Sequence, residues 1–269
     1  MAAHAILVEN LEKYFPPARS GWRAFAQPFA RPTFCALAGI SLVIKPAESV
    51  ALIGANGAGK STLLRILATL VLPTRGRAEI GGADVVRDAA RARSRFGYYT
   101  GGDEGFYGRL TGRENLCLFA AMNNLSRLDT SRRISEIMGL LALGEFLDRQ
   151  VRTYSTGMVH RLGLARALLH GPRILLFDEP TRSLDHLAAS DFRKFLRQEI
   201  IGRLGTTLLF ASHTLSEVEE LATRVAVLDQ GRLSAFDTPR NICAAARASR
   251  LEDALSHLVP RASHPGAAE

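Results

Sequence analysis

Apolar residues along this chain fall into two rhythms. Short, mostly apolar runs at Glu48–Ile53, Ile174–Phe177 (apolar throughout) and Thr207–Ala211 predict buried strands, as in a parallel sheet. Each run stops at glycine or at polar residues: Gly54, Asp178-Glu179 and Ser212-His213. A weak alternation over Ala5–Leu11 predicts an edge strand, and Ala36–Ile44 and Ala78–Ile80 read as further strands. Val225–Leu228 and Arg232–Phe236, joined by Asp229-Gln230-Gly231, predict a hairpin. Helical spacing covers Thr62–Thr69, Leu110–Met122, Ser131–Leu143 and His186–Arg203. Met158–His170 is another helix, with Leu162, Ala165 and Leu169 on one face and Gly171-Pro172 as its stop. Strands alternating with helices predict an α/β fold around a mostly parallel sheet. From about Asp84 to Arg149 the patterns are helical, broken at Gly101-Gly102 and Gly108, which suggests a helical subdomain inserted into that core.

The apolar run Glu48–Ile53 opens directly into Gly54-Ala55-Asn56-Gly57-Ala58-Gly59-Lys60-Ser61-Thr62. The spacing G-x-x-x-x-G-K-S, between a strand and a helix, is that of a phosphate-binding loop. Glycines let backbone N–H groups turn inward toward phosphate oxygens, and the following helix adds the positive end of its dipole. Lys60 supplies a point charge for the β- and γ-phosphates, and Ser61 a hydroxyl for Mg²⁺. Open parallel sheets bind ligands at the carboxyl ends of their strands. Asp178, Glu179 and His213 fall there too. Asp178 suits Mg²⁺, Glu179 the polarisation of an attacking water, and His213 a hydrogen bond to the γ-phosphate.

The chain has 269 residues and a net charge of +8, from 34 basic and 26 acidic side chains. That excess suits contact with nucleic acid or with an anionic membrane surface and does not choose between them. Arg87, Arg91, Arg93 and Arg95 form either a solvated helix face or a binding patch. No run of 18 apolar residues is present, so nothing in the sequence spans a membrane as a helix. Met1–Leu11 lacks the basic and apolar regions of a secretory signal. Cys35, Cys117 and Cys243 lie far apart and without metal-ligand spacing, which predicts reduced thiols packed as small hydrophobes. The segment 18–33 holds Trp22, Phe25, Phe29, Pro28 and Pro32. It reads either as a surface excursion folded back on the core or as an apolar, basic lip touching a membrane or partner.

Taken together, the motifs resemble the nucleotide-binding subunit of ABC transporters over nearly the whole chain. Arg173–Pro180 resembles the family's Walker B strand with its catalytic glutamate. Tyr154-Ser155-Thr156-Gly157-Met158 stands where the family signature Leu-Ser-Gly-Gly-Gln stands, Ser183-Leu184-Asp185 resembles the D-loop, and Ser212-His213 the switch histidine. The resemblance implies a P-loop NTPase (RecA-like) core with an N-terminal antiparallel β-subdomain and an inserted α-helical subdomain. The expected division is an ATPase domain at 1–240, with the helical subdomain about 84–160, and a C-terminal helix and tail at 241–269. It implies ATP and Mg²⁺ as ligands, Glu179 and His213 as catalytic groups, and Ser61 and Asp178 at the metal. Nucleotide contacts would come from Gly54, Asn56, Gly57, Ala58, Gly59, Lys60, Ser61 and Thr62, with Phe15 stacking on adenine. Two subunits would pack head to tail, with Ser155, Gly157 and Asp185 serving the facing site. The partners implied are an integral membrane permease and a second ATPase copy, identical or related, at the cytoplasmic face of the membrane, with no nucleic acid.

Three departures stand out. Tyr154, Thr156 and Met158 replace signature residues while Ser155 and Gly157 remain. The family's glutamine near Gly101-Gly102 is missing, so either Asp103 or Glu104 substitutes or Mg²⁺ loses one ligand. For the adenine-stacking aromatic Phe15 fits the spacing best and Tyr14 is its neighbour, the alternative for either being plain core. The Tyr-Ser-Thr-Gly-Met form, the loop before Arg109-Leu110-Thr111-Gly112-Arg113-Glu114-Asn115, and the segment 18–33 resemble the ABC-2 type exporter branch. An ABC ATPase acting on nucleic acid or ribosomes is the alternative.

Overall fold

The computed structural model describes residues 4–16, 34–101 and 105–258. The segment 18–33, and Asp103 and Glu104, lie outside the described residues. Two sheets pack against one another. The first is antiparallel, in the order β2-β1-β4-β5, from β1 (Ile6–Phe15), β2 (Phe34–Ile44), β4 (Arg75–Ile80) and β5 (Ala83–Asp84). The second has the order β10-β9-β3-β8-β7-β6, from β3 (Ser49–Ile53), β6 (Phe96–Tyr99), β7 (Ile174–Asp178), β8 (Thr207–Ala211), β9 (Arg224–Asp229) and β10 (Arg232–Asp237). All its pairings are parallel except β9 with β10. The expected parallel core, antiparallel subdomain and terminal hairpin are therefore present.

Side-chain alternation explains the apolar runs. Leu175, Phe177, Leu208, Phe210, Val225 and Val227 enter one core, which faces the helices. Leu176, Leu209, Ala211, Ala226 and Leu228 enter the other, which faces the antiparallel sheet and α1 (Lys60–Leu67). A strand covered on both faces favours apolar residues along its length, and the buried polar residues Ser49 and Thr207 stand only at the first positions of β3 and β8.

The remaining helices are α2 (Ala89–Arg93), α3 (Gly112–Met122), α4 (Arg127–Leu141), α5 (Thr156–Leu168), α6 (His186–Phe195), α7 (Leu215–Leu221), α8 (Pro239–Ala245) and α9 (Leu251–Leu258). After α6 the chain continues with π winding over Leu196–Arg203. No helix among the described residues is long and apolar enough to cross a membrane.

Three expectations are corrected. β1 is not an edge strand: it pairs with β2 on one side and β4 on the other and runs on to Phe15. Its weak alternation arises from register shifts between Val8 and Leu11 and again beyond, which break the period of two. The block read as helical contains β6, which belongs to the parallel sheet. Its four residues are too few for periodicity to distinguish from a helix segment. Two of the cysteines are not packed as small hydrophobes: Cys35 and Cys117 are exposed, while half-buried Cys243 packs against the helical core.

Candidate active site

The sheet register places the reactive residues. Leu52 of β3 lies opposite Ala211 of β8, and Ala211 lies opposite Asp178 of β7. Three adjacent strands therefore end at one level. The loop after Ile53, the pair Asp178-Glu179 and the pair Ser212-His213 all leave the sheet side by side. Sequence reasoning expected this meeting, and the geometry provides it.

The loop from Gly54 to Gly59 turns tightly into α1. Gly59 is the N-cap residue, with φ 104° and no side-chain cap. A Cβ there would come within 2.5 Å of the Ala36 carbonyl oxygen, so both conformation and space demand glycine. The first turn of α1 thus keeps its N–H groups for a ligand. Lys60 is 5% exposed, and its Nζ donates to the carbonyls of Gly54 at 2.7 Å and Ala55 at 3.0 Å. Burial lowers its pKa, while Glu179 and Asp178 pull it back up. The ammonium therefore curls over the hollow of the loop, held by neutral carbonyls, where an anion would satisfy it better. Asn56 lines a cleft of about 550 Å³ together with Glu179, Ser212 and His213. Ala58 is buried, and Thr62 follows Ser61 in the first turn of α1.

Ser61 Oγ donates to Asp178 Oδ1 at 2.9 Å. Burial raises the pKa of Asp178, opposed chiefly by that hydrogen bond. A hydroxyl and a carboxylate side by side are hard oxygen donors that fit Mg²⁺, which is held by one or two carboxylates, substrate phosphates and water. No cluster of three or more His, Cys, Asp or Glu suited to a metal exists among the described residues. A metal here would lean on phosphate oxygens.

Glu179 stands in the left-handed region, with φ 52°. That conformation is strained for a residue with a side chain, and such strain concentrates at functional sites. Its Oε1 lies 2.8 Å from His213 Nε2, and its Oε2 lies 3.3 Å from an Arg182 guanidinium nitrogen. Its backbone N–H donates to the Ala211 carbonyl, so the peptide is tied to β8. Arg182 did not emerge from sequence reasoning. Nor did Glu217, which is buried and accepts a hydrogen bond from Thr181. Glu217 is one of three glutamates in Leu215–Leu221, and nothing in the sequence distinguishes it from Glu219 and Glu220.

The signature-like segment lies apart. Gly157 and Asp185 line a second cleft of about 520 Å³ with Leu184 and Leu187, and it shares no lining residue with the first. Ser155 caps α5: its Oγ accepts from the Met158 N–H at 3.3 Å, and its own N–H donates to the Met158 sulfur at 3.4 Å. Met158 thus does with sulfur what the carboxamide of a capping box does with oxygen. Tyr154 Oη donates to the Phe146 carbonyl at 2.7 Å, and its ring packs edge-on against Phe146. A Cβ on Gly112 would come within 2.3 Å of that hydroxyl, which links Tyr154 to the glycine of Leu110-Thr111-Gly112. Thr111 and Glu114 form a reciprocal cap on α3, and buried Asn115 bonds both the N–H and the carbonyl of Tyr107. Asp185 caps α6 by accepting from the Ala188 N–H at 2.9 Å. Phe15 ends β1, half-buried, with Lys13 Nζ 4.8 Å from its ring centre. Tyr14 beside it donates its N–H to Thr74 Oγ1.

A family model described as ABC transporter matches residues 37–182. The ABC transporter ATP-binding protein NatA of Bacillus subtilis is 38% identical over 72% of this chain and 78% of its own length. The daunorubicin/doxorubicin resistance ATP-binding protein DrrA of Streptomyces peucetius is 36% identical over 76% of this chain, and the chain spans 61% of it. The bacitracin transport ATP-binding protein BcrA of Bacillus licheniformis is 34% identical over 72% of this chain, with 62% of its length spanned. Among solved structures, an ATP-binding subunit of an ABC transporter is 26% identical with a TM-score of 0.78, over 94% of this chain and 99% of that one. The dimeric structure of MJ0796, a bacterial ABC transporter cassette, shares the fold at 24% identity and a TM-score of 0.72, over 87% of this chain and 98% of that one.

Proposed function

Because this chain belongs to the ABC transporter family as an ATP-binding, ATP-hydrolysing domain, we propose that it is the motor subunit of an ABC-2 type exporter. The observation that carries the reading is the convergence of the loop Gly54–Ser61, Asp178, Glu179 and His213 at the ends of three neighbouring strands. Similarity to drug-resistance and bacitracin-transport proteins supports export over action on nucleic acid or ribosomes.

The residues divide the work as follows. N–H groups from Gly54 to Thr62 and the dipole of α1 cradle the phosphates. Lys60 leaves its two carbonyls for the β- and γ-phosphate oxygens. Ser61 and Asp178 would hold Mg²⁺, which would supply charge neutralisation for phosphoryl transfer. Glu179 orients and polarises the attacking water. His213 meets the Glu179 carboxylate through Nε2 in the free site and would turn that N–H to the γ-phosphate when nucleotide is bound. Phe15 stacks on the adenine. Two copies, or this chain and a related ATPase, close head to tail. Ser155, Gly157 and the amino end of α5 then complete the anion site of the facing loop, with Asp185 at the same junction. The subunit sits peripherally on the cytoplasmic face against an integral membrane permease.

Two measurements test this reading. Glu179→Gln is expected to retain ATP binding while turnover falls by about a hundredfold or more; undiminished hydrolysis would remove Glu179 from its role. Mass spectrometry of material co-purified with the chain from detergent-solubilised native membranes is expected to recover a multi-span membrane protein in stoichiometric amount. Recovery of soluble ribosomal or nucleic-acid proteins in its place would overturn the exporter reading.

A further inference from the structure

A chain of hydrogen bonds runs from the buried pair Tyr99–His160, at the wall of the second cleft, to the exposed Ser183. Tyr99 Oη lies 2.6 Å from His160 Nδ1, His160 Nε2 lies 2.8 Å from Ser183 Oγ, and Ser183 Oγ donates to the Gly101 carbonyl at 2.8 Å. Tyr99 is fully buried and His160 is 2% exposed. Phe177 and Phe192 pack edge-on or tilted against Tyr99, and Phe192 also packs against His160.

The proton positions follow from counting donors. Ser183 has one hydroxyl proton and gives it to Gly101. Its oxygen must then accept from His160 Nε2–H. A neutral imidazole has one N–H, so Nδ1 is the acceptor and takes the Tyr99 proton. The chain runs one way, Tyr99 to His160 to Ser183 to Gly101, with every donor used once. It joins three elements that serve hydrolysis: the end of β6, helix α5 behind Ser155 and Gly157, and the loop leading to Asp185. Its far end lies against the backbone of Glu179, not its carboxylate. A Cβ on Gly101 would come within 2.6 Å of the Glu179 carbonyl oxygen, so the two backbones touch.

We propose that His160 is a positioning residue for ATP hydrolysis. Held between Tyr99 and Ser183, it sets the register of the signature-bearing helix against the Asp185 loop and the backbone beside Glu179. A phosphate taken up at the amino end of α5 would thereby be felt at the base. The proposal rests on the roles assigned above to Ser155, Gly157, Asp185 and Glu179. It needs a side chain that accepts on one side and donates on the other, which an amide also offers and a phenyl ring does not.

The test is steady-state ATP hydrolysis by the full chain at saturating Mg-ATP. His160→Phe is expected to lower kcat by about tenfold with KM within about twofold, and His160→Gln to restore kcat to within about threefold of wild type. Ser183→Ala is expected to cost about as much as His160→Phe and to add nothing on top of it, since both cut one chain. Wild-type kcat in His160→Phe, a glutamine variant as slow as the phenylalanine one, or losses that multiply would each overturn the proposal. Should His160→Phe fail to fold, Ser183→Ala carries the test: a tenfold loss of kcat with KM retained supports the chain, and wild-type kcat overturns it. A wild-type chain without Glu179-dependent turnover would instead overturn the functional reading beneath the proposal.

Discussion

Two helices of this protein begin at a glycine-containing, hydroxyl-bearing turn, and they are built oppositely. Helix α1 has a left-handed glycine as its N-cap, no side chain capping it, and a lysine buried in its first turn. Helix α5 has a serine N-cap whose hydroxyl and N–H are both engaged by Met158, and Ser155 and Thr156 are exposed. The first end is walled in by the sheet and short of acceptors, so an anion completes it within one chain. The second has its N-cap hydroxyl and N–H engaged by Met158 and faces outward, and in the proposed dimer the Thr156 and Gly157 N–H groups would meet a phosphate carried by the facing copy. On the proposed reading, one end is a binding site and the other half of one.

That contrast is best broken at α1. Lys60→Ala removes the charge the loop is folded around, and ATP affinity measured by equilibrium binding to the isolated chain is expected to fall by about a hundredfold or more. Ser155→Ala is expected to leave affinity in the isolated chain within about twofold while kcat falls by about tenfold at concentrations where two copies associate. Equal losses of affinity in both variants would erase the distinction between a site and a half-site.

A smaller effect sharpens the structural side of the comparison. Gly112→Ala drives a methyl into Tyr154 Oη and is expected to cost about 1–3 kcal/mol in denaturant unfolding. Tyr154→Phe in the same chain should recover most of that loss, because the phenyl ring keeps its packing on Phe146. No recovery would mean that the Leu147 carbonyl, the next nearest atom at 3.1 Å, sets the cost.

The smallest effect concerns pH. Burial holds the pKa values of His160 and His170 below the ordinary value of 6.5. Below that pH the unfolded chain binds protons that the folded chain refuses. Stability is therefore full above about pH 6.5 and falls as pH drops below it, by at most about 1.4 kcal/mol per pH unit for each histidine. Unfolding midpoints measured from pH 7.5 to 5.5 check the sign, and His170→Asn should flatten the slope.

Much of this was legible along the chain, for physical reasons that differ by region. The phosphate loop shows itself because backbone N–H groups can face an anion only where glycines stand at fixed intervals between a strand and a helix. The buried strands before Asp178 and Ser212 show themselves because two-faced burial favours apolar residues along the run. The interior position of β1 was not legible, because bulges erased its alternation, and β6 was too short to leave a period. The capping work of Met158 was hidden by a residue type that rarely caps.

The sequence by itself determined which residues are candidates for the chemistry: the phosphate-loop glycines and lysine, the carboxylates, and the order in which they come. Those are local matters, settled by residue type and spacing. The tertiary structure alone decided the company each one keeps. Glu179 meets His213 and Arg182, Gly112 makes room for Tyr154, and Tyr99, His160 and Ser183 form one line although 61 and 23 positions separate neighbours in it. Hydrogen-bond partners so far apart are chosen by sheet order and helix packing, and no short stretch of sequence carries that information.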